Sequence, residues 1–174
     1  MTARLVTAPV LRPVTLTEVK QMVRVTDDAE EPVLEALILA AIGMLDGRGG
    51  LLSRAIMPQV WAEDLTGNGP WVLALPDIDA ETLTVTVDGV AVVAPDWTIT
   101  LQDSGALLTL ANEGGSAVTL QYGCGMPEAR LKVVKVLIGL MVDAWYYRRS
   151  EMADPMGLPP ACLAMVEILR WQGV

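Results

Sequence analysis

The sequence contains no histidine and only two cysteines, Cys124 and Cys162. The usual zinc, haem and iron–sulfur sites need several of these side chains, so we expect no metal and no cofactor. Without histidine, a nucleophilic thiol also lacks its usual activating base. Two thiols in a chain with an ample core favour a reduced, cytosolic protein, and a single disulfide stays open as the alternative.

Long apolar runs are missing as well. The most apolar stretch, residues 131–147, is interrupted by Lys132, Lys135 and Asp143. A membrane span needs about 20 mostly apolar residues, so this pattern predicts a buried helix rather than a span. The N-terminal residues include Arg4 and Arg12 but no long apolar run, and we therefore predict no signal peptide.

Basic residues are scarce in the middle of the chain. Residues 51–126 hold nine acids against Arg54 alone, and their net charge of −8 accounts for most of the total of −9. The flanking segments are closer to neutral, at −2 for residues 1–50 and +1 for residues 127–174. A protein that grips nucleic acid through its phosphates is normally basic, so we expect no sequence-independent DNA binding.

Apolar residues are abundant, at 52% of the chain, and the mean hydropathy is +0.43. An ordinary soluble domain contains about 45–50% apolar residues even when glycine is counted. The surplus predicts an apolar subunit interface, because large exposed apolar patches usually mark contacts. A generously packed core is the alternative.

Helix signals occupy the first fifty residues. Thr15 and Glu18 form a Ser/Thr-x-x-Glu capping box, which predicts a short helix through about Val23. Asp27 is the predicted cap of a second helix. Its apolar residues recur at helical spacing until the glycines of residues 47–50 end it.

Strand signals fill the middle. Residues 83–87 alternate between apolar side chains and threonine, and Asp88-Gly89 then predicts a tight hairpin into residues 90–93. The same alternation predicts further strands, which lie around residues 97–101, 108–110 and 118–122 and, more weakly, over residues 59–65.

Pro127 and Glu128 open the longest predicted helix, which runs to about Arg149 and is followed by a last helix that stops at Gly173. These elements predict an α+β fold that is mainly α: a helical bundle of two N-terminal helices, the long helix and the C-terminal helix, with an inserted antiparallel β region. We predict a single domain over residues 1–174. Its helices lie over about 15–48 and 127–172, and its β-rich insertion over about 56–122.

Three motifs are candidates for catalytic or nucleotide-binding sites. Asp77 and Asp79 could serve as paired carboxylates, but acids between a proline and a strand are typical turn residues. The glycines around Cys124 are explained by a tight strand-to-helix turn. Gly47-Arg48-Gly49-Gly50 lacks the Lys-Ser/Thr of a P-loop. We therefore predict that the chain is not an enzyme.

Aromatic residues and arginines gather twice near the C-terminus, and such residues often anchor protein interfaces. The candidate interface residues are Trp145, Tyr146, Arg148, Arg149, Leu169, Arg170 and Trp171. The alternative is that Trp145 belongs to the core and that Tyr146 and Tyr147 fill a gap between helix and sheet. Asp143, which lies among apolar residues of the same helix, predicts either a helix-face ion pair or a polar contact between subunits.

The order of short segments along the chain resembles the head-to-tail connector, or adaptor, proteins of tailed bacteriophages and gene transfer agents. The matching segments are VTLTEVK at residues 14–20, RVTDD at 24–28, LEALILAA at 34–41, PQVW at 58–61, VTLQYG at 118–123, PEA at 127–129, WYYRR at 145–149 and LPP at 158–160. The glycine-rich helix stop at residues 47–50 and the lack of aromatic residues in the first helices depart from the family pattern.

This resemblance implies a structural virion protein without catalytic residues. Such a protein forms a ring, usually a dodecamer, beneath the portal and then receives the stopper or tail-completion protein. It would lie in the neck of the particle after assembly in the bacterial cytoplasm, and DNA would pass through its channel without specific binding. By the same resemblance, the segment from about Leu158 to Val174 would dock onto the portal, with Arg170 and Trp171 as anchors.

Two other classes of function stay open. The strand-rich middle could form a module that binds a peptide, a sugar or another ligand. The chain could also be a hydrolase that uses Asp77 and Asp79.

Overall fold

The computed structural model describes residues 2–67, 69–102, 105–111, 117–147 and 157–172. The described residues divide into two compact units. A sheet unit comprises the described residues within Met1–Leu11, Met57–Met126 and Trp171–Val174, and a helical unit comprises those within Arg12–Ile56 and Pro127–Arg170.

The helical unit contains α1 (Leu16–Val23), α2 (Glu31–Leu45), α3 (Glu128–Tyr147) and α4 (Pro160–Leu169). The predicted capping box is confirmed: the Glu18 N–H donates to Thr15 Oγ1, and the Thr15 N–H donates to a Glu18 carboxylate oxygen. Asp27 caps a short 3₁₀ turn, Asp28–Glu30, which leads directly into α2. The long predicted helix is confirmed as α3, whose described part ends at Tyr147.

Each of α1, α2 and α3 contacts the other two, and α4 packs on α3. Their inward faces bury aliphatic side chains at helical spacing, which stabilise the unit by about 1.5–3 kcal/mol for each large side chain. The largest fully buried members on α2 and α3 are Leu34, Ile38, Leu45 and Leu137. Within the described chain, no helix has both the length and the apolar character that crossing a bilayer requires.

The sheet unit contains two antiparallel sheets. The larger has the strand order β1-β2-β8-β4-β5, and the smaller has the order β3-β7-β6. The strands are β1 (Thr2–Thr7), β2 (Gln59–Leu65), β3 (Trp71–Val72), β4 (Ile78–Val87), β5 (Val90–Val92), β6 (Trp97–Gln102), β7 (Gly105–Leu110) and β8 (Val118–Cys124).

The Asp88-Gly89 hairpin between β4 and β5 is confirmed. Both turn residues have positive φ, 51° for Asp88 and 81° for Gly89, which is the backbone that a two-residue turn between twisted strands requires. The predicted strand over residues 59–65 is confirmed as β2, which pairs with β8 along its full length.

The prediction of a mainly helical bundle is wrong. Among the described residues, 36% are helical and 32% are in strands, and the strands form two sheets rather than one inserted β region. Two strands, β1 and β3, lacked a sequence signal. Nearly every side chain of β1 is exposed, so it shows no apolar alternation, and β3 is only two residues long.

Candidate assembly surfaces

An open apolar groove lies between α1 and α3 on the surface of the helical unit. Its volume is about 510 Å³, and its lining includes Met22, Val136, Leu140 and Tyr147. The exposed large apolar residues of α3 are Val133, Val136, Leu140 and Tyr147, and they recur at spacings of three, four and seven. That spacing places them in one stripe along the helix.

Three contacts fix the walls of this groove. Met22 Sδ lies against Gly139, where a side chain of any size would meet the methionine. The Tyr147 hydroxyl donates to the Val23 carbonyl at 2.9 Å, and Lys135 Nζ donates to a Glu18 carboxylate oxygen at 2.9 Å. The groove is therefore built into the packing of α1 on α3.

Two opposite charges line the apolar groove, Arg24 and Asp143. Arg24 ends α1 in the left-handed conformation, with φ of 58°. Neither the Arg24 guanidinium nor the half-buried Asp143 carboxylate forms a hydrogen bond or ion pair with the residues that the structure describes. Sequence analysis predicted either a helix-face ion pair or a contact between subunits for Asp143. The described contacts do not include such an ion pair.

The outward face of α2, which we call the α2 face, is apolar. It consists of the exposed residues Val33, Ala36, Leu39, Ala40 and Gly43. Leu34, Ile38, Ala41 and Leu45 are buried on the opposite side of the same helix. No heavy atom lies within 4 Å of where a Cβ on Gly43 would stand.

The aromatic cluster at the end of α3 is split between core and surface. Trp145 is buried, with 8% of its surface exposed, and Tyr146 is half-buried. Tyr147 is 62% exposed, and its ring meets the Tyr146 ring edge-on with centroids 5.1 Å apart. Arg148 and Arg149 lie outside the described residues.

The C-terminal candidates also differ from one another. Leu169 is 3% exposed, and its carbonyl accepts a hydrogen bond from Arg54 Nε at 2.8 Å. Arg170 is exposed at the end of α4. Trp171 is half-buried against Gly105 at the start of β7, where an added Cβ would lie 2.9 Å from the indole ring. The φ of +122° at Gly105 also favours glycine there.

The sheet unit carries most of the net charge. Its sequence contains nine acids against Arg4 alone, a net charge of −8. Glu63 is buried and Asp77 is half-buried. The exposed acids among its described residues are Asp64, Asp79, Glu81, Asp88 and Asp96.

Asp77, Asp79 and Cys124 come together in the sheet unit, where they line a cleft of about 490 Å³. Asp79 Oδ1 accepts the Glu81 N–H at 3.1 Å, and the Asp77 carbonyl accepts the Gly125 N–H at 3.2 Å. The Asp79 contact is a turn bond of the kind expected of such acids, whereas the Asp77 contact is made by the backbone and leaves the role of its carboxylate a prediction. Cys124 and Cys162 are both buried and form no disulfide.

Sequence analysis missed the buried carboxyl group of Glu63, which is 0% exposed. One of its oxygens accepts hydrogen bonds from the Tyr122 hydroxyl and from the Ala74 N–H, the latter at 2.8 Å. Burial, and next the negative charge of Glu63, raise the pKa of Tyr122. Strand alternation from Trp61 through Glu63 to Leu65 was the available signal, since all three share one face.

No protein-family model and no curated protein matches the chain. A solved structure described as the neck of an empty GTA particle computed with C6 symmetry is similar over the whole length. The TM-score is 0.70 at 20% sequence identity, with coverage of 100% of this chain and 97% of the other. At that identity, the comparison shows a shared fold.

Proposed function

We propose that the chain is a structural protein of the neck of a phage or a gene transfer agent, and that it is not an enzyme. The observation that carries this proposal is the full-length likeness to a chain of a GTA neck. A likeness that covers both the helical and the sheet unit supports a common role better than one confined to a single unit, because folds alone serve many functions.

As a connector, the protein would form a ring under the portal and continue the DNA channel towards the stopper or tail-completion protein. The C6 symmetry of the similar particle supports a cyclic assembly of this chain, and a dodecamer is compatible with six-fold symmetry. The exposed apolar surfaces of α2 and α3 are available for contacts between neighbouring copies.

The negative charge of the sheet unit is compatible with a position in the wall of the channel through which DNA would slide. Its net charge of −8 repels phosphate, so DNA would pass without a grip that stalls it. The protein would therefore act on DNA as a conduit and would not bind it specifically.

The portal contact is proposed for the C-terminal segment, with Arg170 as its exposed charged residue. Trp171 presents only part of its ring, because the rest packs on Gly105. Trp145, Tyr146, Arg148, Arg149 and Leu169 remain candidates for portal or inter-subunit contacts.

Cells that produce the particle without this chain test the proposal. We expect DNA-filled heads and free tails that fail to join, and we expect joining to return when the chain is supplied in trans. Normal joined particles in the absence of the chain would contradict a connector role.

The cleft of the sheet unit supports a second candidate, a module that binds a peptide or another ligand. A stable monomer that binds a specific small ligand would favour this reading over the connector. The hydrolase alternative predicts that replacing both Asp77 and Asp79 abolishes biological function, whereas the connector predicts that particles still assemble.

A further inference from the structure

We propose that the α2 face of one copy docks into the α1–α3 groove of the next copy, and that this contact joins neighbouring subunits side by side. The inference rests on the proposed ring but goes beyond it, since it names the two surfaces that meet. A second copy of this chain is the occupant for which size, direction and charge agree.

The two surfaces are complementary in size. The middle of the α2 face carries the small residues Ala36, Ala40 and Gly43, with the larger Val33 and Leu39 on either side, so a partner helix can approach the backbone closely along this middle. The groove carries large ones, Val136, Leu140 and Tyr147. Small residues opposite large residues at a spacing of three and four allow two helices to interdigitate.

The two surfaces also point in opposite directions. Because α1, α2 and α3 each contact the other two, the groove between α1 and α3 faces away from α2. The buried residues of α2 lie on the side opposite its α2 face, so this face points outward. Two different surfaces on opposite sides of one unit produce head-to-tail contacts, which close into a ring when the rotation between copies permits.

The charges favour α2 of one copy lying parallel to α3 of the next. The starts of the two helices give no preference, because Asp28 and Glu31 both pair with Lys20 at 2.6 Å and Lys132 pairs with Glu128 at 3.3 Å within the chain. At the other end, Arg48 follows α2 and Asp143 lies in the groove. Neither Arg48 nor Asp143 has a charged partner among the described residues, so each can meet the other across the contact.

Disulfide trapping tests this contact directly. Ala40→Cys and Leu140→Cys each introduce one exposed thiol, and both native cysteines are buried. Because a disulfide requires Cα atoms within about 7 Å, we expect about tenfold more cross-linked dimer from the mixed variants than from a control pair. The control is Ala40→Cys with Val93→Cys, which is more exposed (71%) than Leu140 (37%) and lies in the sheet unit.

Each variant alone should stay uncross-linked, and the double variant should form a ladder of oligomers. Equal cross-linking in the control pair, or dimers of either single variant alone, would overturn the inference. A charge swap gives a second readout: Asp143→Arg should reduce trapping between positions 40 and 140, and adding Arg48→Asp should restore it. Loss without restoration would contradict the proposed parallel arrangement.

Assembly on the portal separates this inference from the proposed function. A ring of the double variant on the portal that shows no 40–140 cross-link would refute the contact and leave the connector role standing. Cross-linked oligomers that never occupy the portal would refute the connector role and leave the contact standing.

Discussion

At the scale of single residues, the buried pair of Glu63 and Tyr122 joins neighbouring strands of the larger sheet. Glu63 is on β2 and Tyr122 is on β8, and the same carboxyl oxygen also accepts the N–H of Ala74 just after β3. A buried polar group that loses its partner costs about 1–3 kcal/mol. The pair therefore stabilises the packing of these two strands, and replacing either partner by an apolar residue removes one hydrogen bond from the buried polar group of the other.

Tyr122→Phe removes the hydroxyl and leaves the buried carboxyl group short of one donor. We expect the free energy of unfolding to fall by about 1–3 kcal/mol, measured by urea denaturation. Thr119→Val is the matched control on β8, because its hydroxyl bonds Asp64 at 2.9 Å on an exposed face. We expect that control to change stability by less than about 0.5 kcal/mol. Equal losses in the two variants would contradict a special role for the buried pair.

The charge of the Glu18 carboxylate makes the stability of the helical unit depend on pH in the acid range. The N–H of Thr15, and next the ammonium group of Lys135, lower the pKa of Glu18 below its ordinary value of 4.5. A carboxyl group with a lowered folded pKa stabilises the protein above its unfolded pKa, and the contribution is lost as the pH falls through the folded value. Glu18→Gln keeps a side chain that can complete the capping box but removes this titration.

We therefore expect Glu18→Gln to lose less thermal stability than the unmodified chain between about pH 6 and about pH 3. The measurement is the melting temperature across that range. Glu128→Gln is the charge-matched control, since its pair with Lys132 joins two largely exposed side chains. If the melting temperature of Glu18→Gln falls as steeply with decreasing pH as that of the unmodified chain, this carboxylate does not contribute to the pH dependence.

At the scale of elements, local signals in the sequence predicted most helices and strands. The Thr15–Glu18 capping box and the Asp88-Gly89 turn each depend on neighbouring residues only, and both are confirmed. Sequence patterns alone underestimate the proportion of strand, because β1 has no buried face and β3 is very short. The division into two sheets depends on pairings between distant strands, such as β2 with β8, which no local pattern encodes.

Replacing glycine by alanine should change the free energy of unfolding in opposite directions at two positions, Gly89 and Gly43. Gly89 has φ of 81° in the hairpin, so Gly89→Ala should lower the free energy of unfolding by about 1–2 kcal/mol. Gly43 is an exposed residue within α2 with free space around it, so Gly43→Ala should raise it by about 0.5–1 kcal/mol. Chemical denaturation measures both, and the same sign in both variants would contradict this account of the backbone.

At the scale of the whole molecule, most of the net charge lies in the sheet unit, whereas the apolar surfaces described above lie in the helical unit. The sheet unit holds −8 of the total charge, and the helical unit holds the groove and the α2 face. The sequence predicted the acidic middle and an apolar surplus. It could not place the groove, since α1 and α3 are far apart in the chain, and it could not show that Trp145 faces inward while Tyr147 faces solvent.

Charge reversal on the sheet unit should slow DNA release from particles. Glu81→Lys with Asp96→Lys replaces two exposed acids by bases, which creates phosphate contacts where repulsion was present. Ejection should be slower than in the unmodified particle, with the delay decreasing as salt rises. Glu128→Lys with Glu167→Lys is the control of equal charge in the helical unit. Unchanged ejection in the sheet-unit variant would count against an acidic channel wall.

The central claim is that this chain forms a connector ring. Its most direct test is to mix the purified chain with a cognate portal ring and to image the product by negative-stain electron microscopy. The account predicts a second ring stacked on the portal, with the C-terminal segment at the contact. A portal that stays bare in the presence of the folded chain would contradict it.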